Sequence, residues 1–398
     1  MLSAGPAGTL AVSLASRLRS RDAVMRPFFA REAPLLARAS RALAERFARG
    51  GRLYAFGLGP YATDAAHVSV EFIHPVIVGK RALPALDVSA APEAFVDALV
   101  GADDMAITFG PPEGDLRMLP ALRLASRRGA YTIAWPGLEG DYAVTSPFTD
   151  PHIHQEAFEL LGHALYETVH VFLEHDRRLG DDVGASGFLY PYLGTAASDD
   201  PAALLDDVAA SVVAKAQDGE RLRNIVASEQ AHTIAAAVVA IRARLDAGGR
   251  LLILGNGGSA TDATDFALDC VASCPEMPAL PAISLASEPA VLSAIANDVG
   301  AELTFVRQLI AQAHADDIVF AMSTSGGSKN VVAALEEARK RGLLVVALLG
   351  YDGGEIVRRG LADHAIVVRS DYIPRIQEAQ AAIYHVVRCA VGELGDGA

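Results

Sequence analysis

Short apolar runs and longer amphipathic stretches alternate along this chain, and the same order occurs twice. In the first half, helical periodicity through Leu10–Arg31 and Ala33–Arg49 precedes an apolar run at Leu53–Phe56 and a helix expected from Tyr61 to Ile73. Further runs at Ala85–Val88, Met105–Phe109, Tyr131–Trp135 and Tyr142–Val144 predict strands, with a helix over Asp115–Arg128 and a long closing helix over Ile153–His175. In the second half a helix at Leu222–Ala247 leads into strands at Leu251–Leu254, Ile283–Leu285, Ile318–Met322, Leu344–Leu348 and Ala365–Val368. Its helices are expected after Ser259, Ser287, Ser328 and Pro374, with Ser328 as an N-cap and Gly342 as a stop after Lys340-Arg341. This alternation predicts an α/β protein with two flavodoxin-like, doubly wound domains, each a five-stranded parallel sheet sandwiched by helices.

The repetition extends to individual residues. Gly50-Gly-Arg-Leu53 returns as Gly248-Gly-Arg-Leu251, and Ala62-Thr-Asp-Ala65 returns as Ala260-Thr-Asp-Ala263. Gln155 and His163 are spaced like Gln377 and His385. A repeat this long is a duplicated domain rather than a solenoid. The expected division is a first domain over 1–176, a linker over 177–200 and a second domain over 201–398. The Gly- and Pro-rich segment Asp176–Pro201 breaks the helical pattern, while its apolar Phe188-Leu-Tyr-Pro-Tyr-Leu193 is expected to pack on a domain.

Charge narrows the function. With 34 Lys plus Arg against 48 Asp plus Glu, the net charge of −14 argues against an extended nucleic-acid face but leaves room for a local pocket for a small anion. The apolar runs are shorter than the roughly 20 residues that span a bilayer, and the basic residues Arg17, Arg19 and Arg21 interrupt what would be a secretory signal. A cytoplasmic protein with no membrane segment is expected. Cys270, Cys274 and Cys389 lack the paired spacing of a zinc knot and read as reduced core thiols.

Two turns of the second half carry candidate chemistry. Gly255-Asn-Gly-Gly-Ser259 runs from the first strand into a helix, so glycine backbone and helix-start amides can approach an anion, with Asn256 and Ser259 as side-chain donors. The third strand ends in Ser323-Thr-Ser-Gly-Gly-Ser328, rich in hydroxyls. Doubly wound sheets bind ligands at the carboxyl edge of the strands, where both turns fall. Neither is a P-loop, because no Lys follows the second glycine. A phosphorylated metabolite is preferred over ATP or NAD.

With Ala296-Asn-Asp298, Gly350-Tyr-Asp-Gly-Gly354 and Arg375-Ile-Gln-Glu378 followed by His385, these turns make the second half resemble the sugar isomerase (SIS) domain, in its phosphoheptose isomerase branch. The resemblance covers almost all of Gly248–Glu393. It implies a phosphorylated sugar as partner, held by Asn256, Gly257, Gly258, Ser259, Asp298, Ser323, Thr324, Ser325, Ser328 and Gln377. It also implies a divalent metal, zinc being one candidate, held by His and Glu four apart on one helix and by Gln and His eight apart on the last. All four ligand types stand in the first half as His67, Glu71, Gln155 and His163. The second half keeps Gln377 and His385 but has Asp265 and Asp269 at the other two positions, which either ligate a harder ion or line a polar pocket.

The first half has conversely lost the anion cradle. Its turns read Gly57-Leu-Gly-Pro-Tyr61 and Thr108-Phe-Gly-Pro-Pro-Glu113, where proline removes amide donors and Glu113 repels phosphate. The leading expectation is an aldose–ketose isomerase acting through an enediol on sedoheptulose 7-phosphate or a relative. Catalytic roles fall to His385 and Asp269, or to their counterparts His163 and Glu71. Either the second half works alone, or the halves share one site, which the complementary losses favour; in a shared site Ser325→Ala and His163→Ala each abolish turnover. The alternative is a non-catalytic phosphosugar-binding regulator or assembly protein, favoured by Asp265, Asp269 and by Pro374 where isomerases have an acid. By analogy with the family, a homo-oligomer, specifically a dimer of tandem chains, is expected.

Overall fold

A computed structural model describes residues 6–76, 80–137, 139–175, 201–272 and 277–395. The expected linker over 177–200 therefore lies outside the described residues, as do Phe188–Leu193 within it and Cys274.

Both expected sheets form. The first contains β1 (Leu53–Phe56), β2 (Ala85–Asp87), β3 (Met105–Phe109), β4 (Tyr131–Trp135) and β5 (Tyr142–Ala143), in the order β2-β1-β3-β4-β5. The second contains β6 (Leu251–Leu254), β7 (Ala282–Ser284), β8 (Ile318–Ser323), β9 (Leu344–Gly350) and β10 (His364–Val368), in the order β10-β9-β8-β6-β7. Counted within each half, both read 2-1-3-4-5, and every pairing is parallel. Parallel strands buried on both faces need apolar residues at every position, and β8 shows why. Ile318, Phe320 and Met322 enter the core on one face of the sheet, and Val319 and Ala321 enter the core on the other.

Helices α1 (Pro6–Ser20) and α2 (Asp22–Ala48) lead the chain, followed by α3 (Ala62–Ile73), α4 (Pro92–Leu99), α5 (Leu119–Arg127) and α6 (Pro151–His175). Then come α7 (Pro201–Glu229), α8 (Ala231–Asp246), α9 (Gly258–Val271), α10 (Pro289–Asp298), α11 (Thr304–Gln312), α12 (Lys329–Lys340), α13 (Gly354–Arg358) and α14 (Ile373–Gly395). The break between the first two helices falls at Arg21, not near Glu32 as the sequence pattern predicts. Glu32 is buried inside α2 because Arg31 Nε donates to its Oε1 at 2.6 Å and the Tyr142 hydroxyl donates to its Oε2 at 3.0 Å. The helix expected over Leu222–Ala247 is two helices parted at Gln230.

The repeated Gly-Gly-Arg motif has one job in both halves. A Cβ on Gly51 would lie 2.0 Å from the Asp103 carbonyl oxygen, and one on Gly249 would lie 2.0 Å from that of Asp316, so no other residue fits. The next residue of each half is fastened by a buried aspartate. Asp104 Oδ1 accepts from the Arg52 amide and Oδ2 from the Gly101 amide, at 2.8 and 2.7 Å. Asp317 accepts likewise from the Arg250 and His314 amides, at 2.8 and 2.9 Å, and also pairs with the Arg250 guanidinium at 2.9 Å. Burial alone would raise the Asp317 carboxyl, but these donors outweigh it and hold it below the usual carboxylate range.

The two compact units do not follow the expected boundaries. One unit is Asp22–Asp218 and the other is Met1–Arg21 with Gly219–Ala398. The division at 176 and 201 is corrected at both ends: α1 belongs with the second sheet, and most of α7 belongs with the first. The reason for α1 is its apolar stripe. Ala11, Leu14, Ala15 and Leu18 join Ile234, Val238 and Ile241 of α8 and Ile383 and Val387 of α14 in one core. Arg17 also reaches Glu393 on α14 at 2.7 Å. Among the described residues no single helix is long and apolar enough to cross a membrane.

Candidate functional site

In the second half the two anion-type turns lie at the carboxyl ends of the neighbouring strands β6 and β8. The first opens α9: Gly257 stands at the N-cap with φ +57°, Gly258 and Ser259 are buried in the first turn, and Asn256 is exposed. In the second turn Ser323 is buried, Thr324 half-buried and Ser325 exposed. The Gly326 amide donates to Ser323 Oγ at 3.1 Å and the Gly327 amide to Ser325 Oγ at 3.2 Å. Each hydroxyl thereby accepts within the loop and keeps its own proton to give to a ligand. Ser328 occupies the N-cap position of α12, as expected, yet its hydroxyl makes no cap hydrogen bond. Asp298 is the exposed last residue of α10, and its Oδ1 accepts from Asn297 Nδ2 at 2.8 Å.

The turn Gly350–Gly354 supports the hydroxyl loop from beneath. Gly326 (φ +59°) and Gly354 (φ +56°) press backbone against backbone: a Cβ on Gly326 would lie 2.2 Å from the Gly353 carbonyl oxygen, and one on Gly354 would lie 2.3 Å from that of Ser325. The Ile356 amide donates to the Gly326 carbonyl at 3.0 Å, which closes the contact.

Helices α9 and α14 bring Asp265, Asp269 and His385 together. His385 Nε2 lies 3.2 Å from Asp269 Oδ2 and 3.7 Å from Asp265 Oδ2, and the Tyr384 hydroxyl donates to Asp265 Oδ2 at 2.9 Å. Burial and the neighbouring Asp265 carboxylate push Asp269 up to about 6, against the pull of His385. Arg388 Nε donates to the Asp269 carbonyl at 2.9 Å and fixes that turn of α9. Gln377 is buried on the same helix, and its Oε1 has no hydrogen-bond partner among the described residues, so it remains an acceptor for a ligand or ion.

In the first half, α3 and α6 bring together His67, Glu71 and His163, all buried, with one donor atom from each lying within 4.8 Å of the others. The His67 and His163 Nε2 atoms are 3.2 Å apart. Two imidazoles on one tetrahedral ion at about 2.05 Å stand roughly 3.3 Å apart, so this set fits a divalent ion. In the second half the donor atoms of Asp265, Asp269 and His385 also lie within 4.8 Å of one another, with two carboxylates in place of an imidazole and a carboxylate. Gln155 lies apart from the expected quartet in one respect: its Nε2 reaches Asp64 Oδ1 at 3.4 Å. The cavity at His67, Glu71 and His163 measures about 10 Å³, closed by Val68, Phe109 and Phe158. That is room for an ion or one water but not for a sugar.

The first half's turns are consumed by the fold. Gly59–Tyr61 forms a 3-10 turn, and the Gly57 amide donates to Ser89 Oγ at 3.1 Å. At the end of β3, the Gly110 carbonyl is taken by His154 Nε2 at 2.9 Å, while Ser146 Oγ lies 2.9 Å from His154 Nδ1. A carbonyl only accepts, so His154 carries its proton on Nε2 and accepts from Ser146 on Nδ1. Burial pushes this imidazole down to about 4. The stability contributed by neutral His154 is therefore complete above about pH 6.5 and is lost as pH falls through 4, a change of about 3 kcal/mol. Denaturant titrations at pH 7 and pH 4 are expected to show it, and His154→Phe is expected to flatten that pH dependence.

The sequence pattern correctly placed the carboxylates and imidazoles on facing helices. It missed Tyr384 and Arg388, whose roles depend on contacts across elements rather than on any motif. Cys270 is buried as expected, its thiol pushed well up by burial, and Cys389 is half-buried.

Comparison with known proteins agrees with the fold. The family model described as the SIS domain matches residues 216–350. A phosphoheptose isomerase of Geobacter sp. strain M21 is 47% identical over 142 residues, 35% of this chain and 73% of that protein. One of Geobacter sulfurreducens is 40% identical over 185 residues, 46% of this chain and 95% of that protein. Over the whole length, the C-terminal domain of glucosamine-fructose-6-phosphate aminotransferase from Francisella tularensis superposes with a TM-score of 0.62 at 10% identity, covering 96% of this chain and 95% of that one. That likeness extends the fold to both halves. The chain belongs to the SIS-domain family of phosphosugar isomerases, in its phosphoheptose isomerase branch.

Proposed function

We propose that this chain interconverts an aldose phosphate and a ketose phosphate, with sedoheptulose 7-phosphate as substrate, in its second half. The observation that carries this reading is one compact unit holding both the hydroxyl loop Ser323–Ser328 and the Asp269–His385 pair at 3.2 Å. The loop supplies donors for the phosphate, and the pair supplies an acid and a base for the sugar. The reaction moves one proton between neighbouring carbons and one between their oxygens, with no net oxidation. Asp269 takes the carbon-bound proton, and His385 exchanges protons with the oxygens as the enediol forms and collapses. Tyr384 and Arg388 hold the two carboxylate positions of α9 in place.

A divalent ion would be held by His67, Glu71 and His163, with Gln155 completing the set; the imidazole-rich donors suit zinc. Asp265, Asp269 and His385, with Gln377, would make a second, oxygen-rich set suited to a harder ion. A bound ion supplies polarisation of sugar oxygens where it reaches them, and rigidity where it does not.

Turnover of sedoheptulose 7-phosphate by the full chain, with metal content of the same preparation, tests the reading. Ser325→Ala is expected to lower kcat/KM by roughly tenfold or more through loss of a phosphate donor. His163→Ala is expected to lower bound metal and leave turnover. Abolished turnover in His163→Ala would assign chemistry to the first half as well. The regulatory alternative draws on the Tyr384 hydrogen bond that occupies Asp265. Tight binding of the sugar phosphate by the wild-type protein without turnover would establish it.

A further inference from the structure

Asn256 stands in the first anion-type turn, where a ligand contact is expected, but its amide is already committed to another residue. Asn256 Nδ2 donates to Asn330 Oδ1 at 2.9 Å, and Asn330 Nδ2 donates back to Asn256 Oδ1 at 2.8 Å. Asn330 lies in the first turn of α12, two residues beyond the hydroxyl loop. Its remaining Nδ2 proton goes to Thr304 Oγ1 at 3.2 Å, and its Oδ1 also accepts from the Val331 amide at 3.0 Å. The amide orientation follows from these neighbours. The Val331 N–H can only donate, and Thr304 gives its own proton to the Ala301 carbonyl at 3.0 Å and so accepts from Asn330.

We infer that Asn330 is the positioning residue of the sugar-phosphate cleft, a junction that holds three of its segments in one arrangement. This rests on the reading of that cleft given under Proposed function. All four hydrogen-bonding capacities of Asn330 are filled by protein, so it has none for a ligand. Its partners come from three places: Asn256 in the turn after β6, Val331 on the helix that leaves the Ser323–Ser328 loop, and Thr304 at the start of α11, shortly after Asp298. Asn256 spends one proton and one lone pair on the junction and keeps one of each for the sugar. Asn256 therefore acts in two ways, and its orientation toward the ligand is set by Asn330. A loop cradle needs this, because glycines that let backbone approach an anion also leave the loop free to drift.

Asn330→Ala and Asn330→Asp, each also in an Asn256→Ala background, test the assignment. The Asp variant keeps the acceptor for Val331 and Asn256 but cannot donate to Asn256 Oδ1 or Thr304. In the ligand-free full-length protein, amide hydrogen exchange in the segments 255–261 and 298–305 is expected to quicken in both variants. Binding of inorganic phosphate and of sedoheptulose 7-phosphate is expected to weaken roughly tenfold to a hundredfold, the scale of two lost hydrogen bonds. KM should rise with kcat within about threefold, and the double variant should be no weaker than the worse single one, because both side chains act through one junction. Additive losses in the double variant, or unchanged exchange in both segments, would overturn the assignment. If the wild-type protein binds neither probe, the cleft reading fails while the exchange measurement still decides whether Asn330 organises these segments.

Discussion

Gly326→Ala is expected to weaken binding of sedoheptulose 7-phosphate at least about a hundredfold and to lower stability by roughly 2–3 kcal/mol. The added methyl group would lie 2.2 Å from the Gly353 carbonyl oxygen and 2.5 Å from its carbon, and both belong to backbone that has no rotamer to change. The residue also sits at φ +59°, where an L side chain is strained even with space around it. Separating the two turns would break the bond from the Ile356 amide to the Gly326 carbonyl and pull Ser325 out of register. Gly327→Ala is the control, because its Cβ would meet nothing closer than the Ser325 carbonyl oxygen at 3.9 Å. Calorimetric titration and a denaturant series on both variants check the expectation. Equal behaviour of the two would remove the brace from the account of the loop.

His385→Gln is expected to reduce kcat by about 10²–10⁴, the range that one general acid or base contributes, while the dissociation constant for the sugar phosphate stays within a few-fold. The imidazole is fully buried, and its Nε2 lies 3.2 Å from Asp269 Oδ2, so together with the Arg388 charge it offsets the closeness of two carboxylates. Its loss drives Asp269 further upward and removes the ionised base. Asp269→Asn should then cost little more in the His385→Gln background, because residues acting as a unit are not additive. Single-turnover rates for the two single variants and the double variant measure this directly. Independent, multiplying losses would mean that the two side chains do not share a proton path.

Much of this arrangement was legible because the signals are local. A four-residue apolar run next to glycine marks a buried parallel strand, and the β1 and β6 boundaries match the runs at Leu53–Phe56 and Leu251–Leu254. Asp265 and Asp269 stand four apart, which puts both on one face of α9, and their meeting with His385 needed only a neighbouring helix. What stayed hidden depends on partners distant in sequence. Glu32 reads as a solvent-facing charge until Tyr142 is seen to donate to it, and Pro27 and Pro34 inside α2 add to the misreading. Gln230 separates α7 from α8 without any glycine or proline to mark the break. Asn330 carries no motif-level signal, since an Asn in a first helical turn is ordinary and its partners Asn256 and Thr304 are 74 and 26 residues away.

The assignment of α1 to the second sheet ties the chain's fate to the order in which it is made. Arg17 and its partner Glu393 are 376 residues apart, so the stripe of Leu14 and Leu18 leaves the ribosome long before the helices that cover it. At about 5–20 residues per second, that interval is roughly 20–75 s. Within it α8 covers part of that apolar surface first, and the remainder stays available to any passing hydrophobic partner until α14 emerges and closes the second core. The emergence of α14 therefore locks α1 into place, so an early stop anywhere before α14 leaves α1 without the last wall of its core.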